Sequence, residues 1–277
     1  MEKTRRICIN FMDRCNMSCN YCYIPFINEK INFSLMKKII YKCSEIGIQI
    51  ITFGGGDPYN YVEFRNIIDI AYSLNIQIHI DTNGINLTSA DYEQINQKVS
   101  ILSFPIDGPT PYLHNYIRNY NGNHLEKIRN HLYALSDSKA KLKINTIVSK
   151  KNIDLIEDIY QSICYLNIST WSLYQFWPLH NAQFYKNDFF ITELEFNNSI
   201  SKIDILKPAF FIEKNTINKR CFESIFLSPN GKIYIHNKYD PNYYTFLGDF
   251  LNEDITNSLD LNRLINTRID TKHRYNL

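Results

Sequence analysis

Short apolar runs alternate with amphipathic segments through the first 180 residues, and this alternation restricts the fold more than any single motif does. The runs are "RICINFM" (6–12), "IQIITF" (48–53), "IQIHID" (76–81), "VSILSFPI" (99–106), "KLKINTIV" (141–148) and "TWSLYQFW" (170–177). They are rich in β-branched and aromatic residues, as strands are. Between them, "SLMKKIIYKCSEIG", "VEFRNIIDIAYSLN", "SADYEQINQK", "HLEKIRNHLYALSD" and "NIDLIEDIYQSICYLN" space apolar residues three and four apart, and several begin at a capping Ser or Asn. Strands separated by helices pair through right-handed crossovers into a parallel sheet covered on both faces. The expected fold class is α/β, a partial (β/α)6 barrel, with any active site at the carboxyl ends of its strands.

The pattern changes after residue 180. A helical stretch, "ITELEFNNSISKID", leads to "CFESIFLSPNGKIYIHNK", where "PNG" joins two alternating runs as a hairpin, and then to a short helix and a polar tail. With no Gly/Ser-rich tether in between, residues 1–180 are expected to form the barrel core and 181–277 an α+β extension capping it. A chain of 277 residues that is 44% hydrophobic can bury a sizeable core. Its 30 basic and 28 acidic side chains give +2 overall, without the clustered charge that a nucleic acid polymer or an anionic membrane requires. There is no 18-residue apolar run and no signal-peptide pattern, so a cytoplasmic location is expected.

Four of the seven cysteines, Cys8, Cys43, Cys164 and Cys221, are scattered through apolar or helical stretches and read as free thiols. The other three, Cys15, Cys19 and Cys22, share the loop "CNMSCNYCY" after the first strand. Structural zinc would want a fourth Cys or His at comparable spacing. Disulfide redox chemistry needs two thiols, and nucleophilic catalysis one thiol with a histidine. An iron–sulfur cube can instead be held at three corners by one loop, leaving its fourth iron open.

The spacing Cys-x3-Cys-x-aromatic-Cys, with Tyr21 as the aromatic, resembles the signature of radical S-adenosylmethionine (SAM) enzymes. That family has a partial TIM-type barrel, and the strand ends extend the resemblance over residues 6–180. "FGGGDP" resembles the family's Gly-Gly-Glu-Pro, which implies that Gly55, Gly56 and Asp57 hold the SAM amino group, with Asp57 one methylene shorter than the usual glutamate. "DTNG" is similar to the family's Thr-Asn-Gly and implies a contact from Asn83. Ser103, with Asp107 two pleats along, is expected at the ribose, Arg118 at the SAM carboxylate, and Phe176 and Trp177 against adenine. The resemblance implies one [4Fe–4S] cluster on Cys15, Cys19 and Cys22, and reductive cleavage of SAM to a 5′-deoxyadenosyl radical. It also implies an electron donor such as flavodoxin or ferredoxin.

The substrate divides into two branches. "HLEKIRNHLYAL…KLKINTIVSKKNI…TWSLYQF" resembles the viperin-like nucleotide dehydratases and, less specifically, the GTP cyclases of molybdenum-cofactor synthesis, which places Lys143 and Asn145 as substrate-binding residues for a nucleotide-like or other small molecule. Ser172 stands where a further lysine would help neutralise a triphosphate. The hairpin followed by "FLGDF" resembles a degenerate form of the cluster-binding (SPASM-like) extension of radical SAM peptide maturases, which make crosslinks or epimerise residues. Cys221 and His236 alone cannot hold an auxiliary cluster there, and the first strand starts too early for an amino-terminal leader-peptide domain. A non-catalytic protein that binds SAM or a cluster is the third alternative.

Overall fold

In a computed structural model, residues 5–12, 14–25, 32–220, 225–236 and 244–252 are described. Seven strands run parallel in chain order: β1 (Arg6–Met12), β2 (Ile50–Gly55), β3 (Gln77–Asp81), β4 (Ile101–Pro105), β5 (Lys141–Val148), β6 (Thr170–Gln175) and β7 (Phe211–Asn215). The helices between and after them are α1 (Phe33–Glu45), α2 (Phe64–Ser73), α3 (Tyr92–Lys98), α4 (Pro111–Arg118), α5 (His124–Ala134), α6 (Ile156–Ile163), α7 (Lys186–Phe189), α8 (Glu193–Ile205) and α9 (Ile217–Arg220). The mixed α/β architecture with a mostly parallel sheet is the one expected, with one parallel strand more. β7 is five residues long with a half-exposed Phe211 at its start, too short and too exposed to stand out as an apolar run.

The rest of the chain joins the same sheet at its other edge. β8 (Phe226–Leu227) lies parallel to β1, β9 (Lys232–His236) turns back antiparallel to it, and β10 (Tyr244–Asp249) forms the edge. The expected hairpin is present: Gly231 donates its N–H to the Ser228 carbonyl at 2.9 Å and takes φ +81°, a conformation that suits glycine. Cys221 and the expected carboxyl-terminal helix and tail lie outside the described residues.

Strand alternation sorts the side chains into two populations. Ile7, Ile9, Phe11, Ile51, Phe53, Ile78, Ile80, Leu102, Phe104, Leu142, Ile144, Trp171 and Leu173 join the helices in one apolar core, where Phe11 and Phe64 of α2 pack at 4.8 Å. The alternate positions carry Arg6, Asn10, Thr52, His79, Asp81, Ser103, Lys143, Asn145, Ser172 and Glu213, so the concave face of the sheet is polar. Those groups satisfy one another across strands. Arg6 Nε donates to Thr52 Oγ1 (3.0 Å), His79 Nε2 bonds Ser103 Oγ (2.7 Å), and Asn145 Nδ2 donates to Asp81 Oδ1 (3.0 Å). The chemistry-bearing loops all leave the carboxyl ends of these strands.

Candidate active site

The loop after β1 and the loop after β2 meet around one cavity of about 170 Å³, lined by Cys15, Cys19 and Cys22 together with Gly55, Gly56 and Asp57. A turn from Cys22 N to Cys19 O (3.0 Å) shapes the thiol loop. Gly56 N donates to Met12 O (2.8 Å), and a Cβ added at Gly56 would fall 1.9 Å from Arg14 O, so only glycine lets the two loops approach this closely. Burial pushes all three thiols up, Cys22 to about 12.

Asp57 is buried and differently employed than its position suggests. Its carboxylate accepts from Tyr59 N (3.0 Å), Thr82 Oγ1 (2.7 Å) and Asn83 N (2.6 Å), stapling the β2 loop to the β3 loop. Asn83, on the same cavity, donates to Cys15 Sγ (3.4 Å) and Asn16 Oδ1 (2.7 Å). Ser103 lines the cavity with its hydroxyl bonded to His79.

Arg118, at the end of α4, reaches the same cavity from the far side. Its Nη1 donates to Asp107 Oδ2 (2.8 Å) and to Tyr21 Oη, Tyr21 in turn donates to Asp107 (2.7 Å), and Arg118 Nε has no partner. Asp107 also accepts from Ile147 N (2.8 Å). It lies beyond the end of β4 and does not line the cavity as Ser103 does, and it forms instead a buried ion pair that fixes Arg118.

The profile of the radical SAM superfamily matches residues 9–163, more than half of the chain. The chain belongs to the radical SAM superfamily. Among curated relatives, an S-adenosylmethionine-dependent nucleotide dehydratase of Flammeovirga pacifica is 27% identical over 252 residues, spanning 85% of this chain and 83% of that protein. An AdoMet-dependent heme synthase of Oleidesulfovibrio alaskensis is 27% identical over 173 residues, and the match spans 61% of this chain but only 44% of that relative's length. The fold resembles Streptococcus suis SuiB, in a structure bound to its precursor peptide SuiA, with a TM-score of 0.73 at 11% identity over 92% of this chain and 64% of SuiB.

Membership of the radical SAM superfamily implies an iron–sulfur cluster and SAM binding, and the residues present fit both. Soft thiols alone form the ligand set on one side of the cavity, and an unpartnered guanidinium nitrogen stands on the other. Thiols whose burial disfavours ionisation gain from a bound metal group that takes the thiolate form.

A second cavity, of about 290 Å³, opens beside the first and shares Tyr21, Cys22, Gly55, Asp81 and Asn145 with it. Trp177 lines this larger space and not the thiol cavity. Phe176 lines neither: it is fully buried against Tyr21, Ile117 and Phe189, a packing residue where an adenine wall was expected. Lys143, expected at the substrate, is 1% exposed and lines neither cavity, with its ammonium group 3.2 Å from Tyr174 Oη. Asn145 lines both.

Arg6 and Arg220, which the sequence reading passed over, line the larger cavity together with His236, brought there by β1, α9 and β9. His124 and His131 of α5 hold the carbonyls of Asn83 (2.7 Å) and Gly84 (2.9 Å). Their seven-residue spacing in "HLEKIRNH" puts them on one helix face, the only local signal available. Among the described residues no helix is long and apolar enough to cross a membrane.

Proposed function

We propose that this chain is a radical SAM enzyme holding one [4Fe–4S] cluster on Cys15, Cys19 and Cys22. The observation that carries the reading is that these thiols, the Gly55–Gly56–Asp57 loop, Asn83, Ser103 and Arg118 line one cavity although they come from four different strand ends. Three thiols around one shared space suit an iron–sulfur group, which takes soft ligands at its corners.

When bound and reduced, the cluster supplies one electron that splits the sulfonium of SAM into methionine and a 5′-deoxyadenosyl radical. The chain's own part is to bind, orient and exclude water. Backbone at Gly55 and Gly56 lies open to a ligand amino group, while Asp57 keeps the loop in place through its three bonds. Arg118, pre-set by Asp107 and Tyr21, offers its free Nε to a carboxylate, and Ser103 stands on the floor for a ribose hydroxyl. Trp177 is assigned to the substrate side and not to adenine. The electron donor would be a cytoplasmic flavodoxin or ferredoxin.

For the substrate, the nucleotide-like or small-molecule reading is supported by the dehydratase relative, which matches nearly the whole chain. Ser172 donates to Glu213 on the interior face, so an acid rather than a base backs that position, and this speaks against a triphosphate. A peptide substrate is the second reading, favoured by Phe226 and His236, which bring the β8–β9 hairpin of maturase-like extensions onto the larger cavity. The core, 1–180, would then carry the radical chemistry and 181–277 the substrate cover.

Anaerobically reconstituted protein should be brown, carry four irons and four sulfides, and release 5′-deoxyadenosine from SAM with dithionite. Cys19→Ala should lose colour and cleavage together. Iron-replete protein that never cleaves SAM, with or without candidate substrates, would overturn the reading.

A further inference from the structure

Unmet polar atoms concentrate on the wall of the larger cavity. Among buried side-chain atoms of the described residues without a hydrogen-bond partner are Asn145 Oδ1, Asn215 Nδ2, Arg220 Nε and both ring nitrogens of His236, and all four residues line this one space. Native proteins leave few such groups, and several around one cavity mark a place where a ligand supplies the partners.

Arg220 gives that ligand a charge. One nitrogen, Nη2, donates to the Gln175 carbonyl, and the guanidinium lies 5.0 Å from the Trp177 ring and 5.6 Å from the Tyr174 ring. No carboxylate among the described residues forms an ion pair with it. Burial pulls its pKa down to about 10, outweighing the opposing influence of Tyr23 and Tyr174. Arg6 adds a second positive charge to the wall. The one acid among the described lining residues, Asp81, accepts a hydrogen bond from Asn145 (3.0 Å) and lies 3.4 Å from the neutral His79 ring. A guanidinium stacked on aromatic rings with a free edge is suited to an oxyanion.

We propose that the larger cavity binds the substrate of the radical reaction by an anionic oxygen group, a carboxylate or a phosphate, seated on Arg220, with Asn215 and His236 as further hydrogen-bond partners. This rests on the radical SAM reading of the adjoining cavity. It also states the chemistry that both substrate branches must share: a nucleotide would present phosphate here, a peptide or small acid a carboxylate.

The test titrates inorganic phosphate and succinate, against chloride at fixed ionic strength, into the anaerobically reconstituted full chain with SAM present, by calorimetry. Saturable binding of one of the two is expected, weakened at least tenfold in Arg220→Gln and partly restored in Arg220→Lys; which anion binds tells the two sources apart. Asn215→Asp, which adds a carboxylate to the wall, should weaken it as strongly, and serves if Arg220→Gln fails to fold. SAM affinity should change less than twofold in each. Neither anion binding better than chloride would overturn the proposal, as would unchanged binding in Arg220→Gln or Asn215→Asp, or a tenfold loss of SAM affinity in Arg220→Gln. Anion binding through Arg220 in a protein that never releases 5′-deoxyadenosine would sink the radical reading alone. Cleavage of SAM without anion binding would sink only the proposal made here.

Discussion

At the scale of single residues, the site is a set of exact fits and buried pairs, and two substitutions probe them. In Gly56→Ala the new Cβ would meet Arg14 O at 1.9 Å, a backbone atom that cannot swing aside. We expect a loss of about 1–3 kcal/mol, as for other overpacked sites. Iron content after reconstitution should fall with it, because the displaced segment carries Cys15. Urea midpoints and iron assays check both. Arg118→Gln leaves Asp107, which is fully buried, without its counter-charge. Removing one partner of a buried pair costs about 3–5 kcal/mol. The double variant Arg118→Gln/Asp107→Asn, which removes both charges, should be more stable than Arg118→Gln in urea; a double variant that is less stable would show that the pair is not what matters. These two residues also mark the limit of the sequence. Cys15, Cys19, Cys22, Gly55 and Gly56 were legible because their chemistry is written in adjacent letters. The buried settings of Asp107 and Phe176 were not legible because their partners, Tyr21 and Phe189 among them, are long-range neighbours whose packing no local spacing encodes.

At the scale of elements, α5 is a clamp. The N–H of Asp107 points at His114 Nδ1 (3.2 Å), so His114 carries its proton on Nε2 and donates it to His124 Nδ1 (2.8 Å), and His124 Nε2 donates to Asn83 O (2.7 Å). One turn pair further on, His131 Nε2 donates to Gly84 O (2.9 Å) while Nδ1 accepts from Tyr92 Oη (2.8 Å). The helix thereby holds the loop whose Asn83 touches Cys15. His131→Leu should keep the helix but lose both bonds, leaving the Gly84 carbonyl unmet, at a cost of about 1–3 kcal/mol in urea unfolding. A stability equal to the parent protein would show that the clamp carries no load. The helix itself was legible from its apolar spacing; the role of its two histidines was not. β7 was missed for a related reason. Its pairing with β6 is set by the sheet rather than by its own composition, and the six-strand count stopped where apolar runs did.

At the scale of the whole molecule, the polar interior makes stability depend on pH. Burial lowers His79 to about 4 and both His124 and His236 to about 3, against about 6.5 in an unfolded chain. A histidine held neutral in the fold contributes stability that is complete above the unfolded value and is lost as pH falls towards the folded one, because the unfolded state takes up protons that the folded state refuses. Each such group costs about 1.4 kcal/mol per pH unit below pH 6.5. Three give roughly 4 kcal/mol between pH 5.5 and 4.5, a large part of the 5–15 kcal/mol typical of a domain. Asp57 works the other way, since burial raises its pKa and the folded state binds a proton there first. Asp91 adds nothing in this window: burial raises it, but bonds from Arg65 and Thr88 outweigh that and hold it below the ordinary value, so its loss begins only under pH 4. Urea midpoints should therefore be flat between about pH 7.5 and 8, before the thiols of the unfolded chain begin to ionise, and fall steeply between 6 and 4.5. A His79→Gln/His124→Gln variant should be less stable at pH 7.5 and have a shallower slope. A parent protein whose midpoint is unchanged at pH 5 would mean that the interior admits protons and that these histidines are not held neutral by burial in solution.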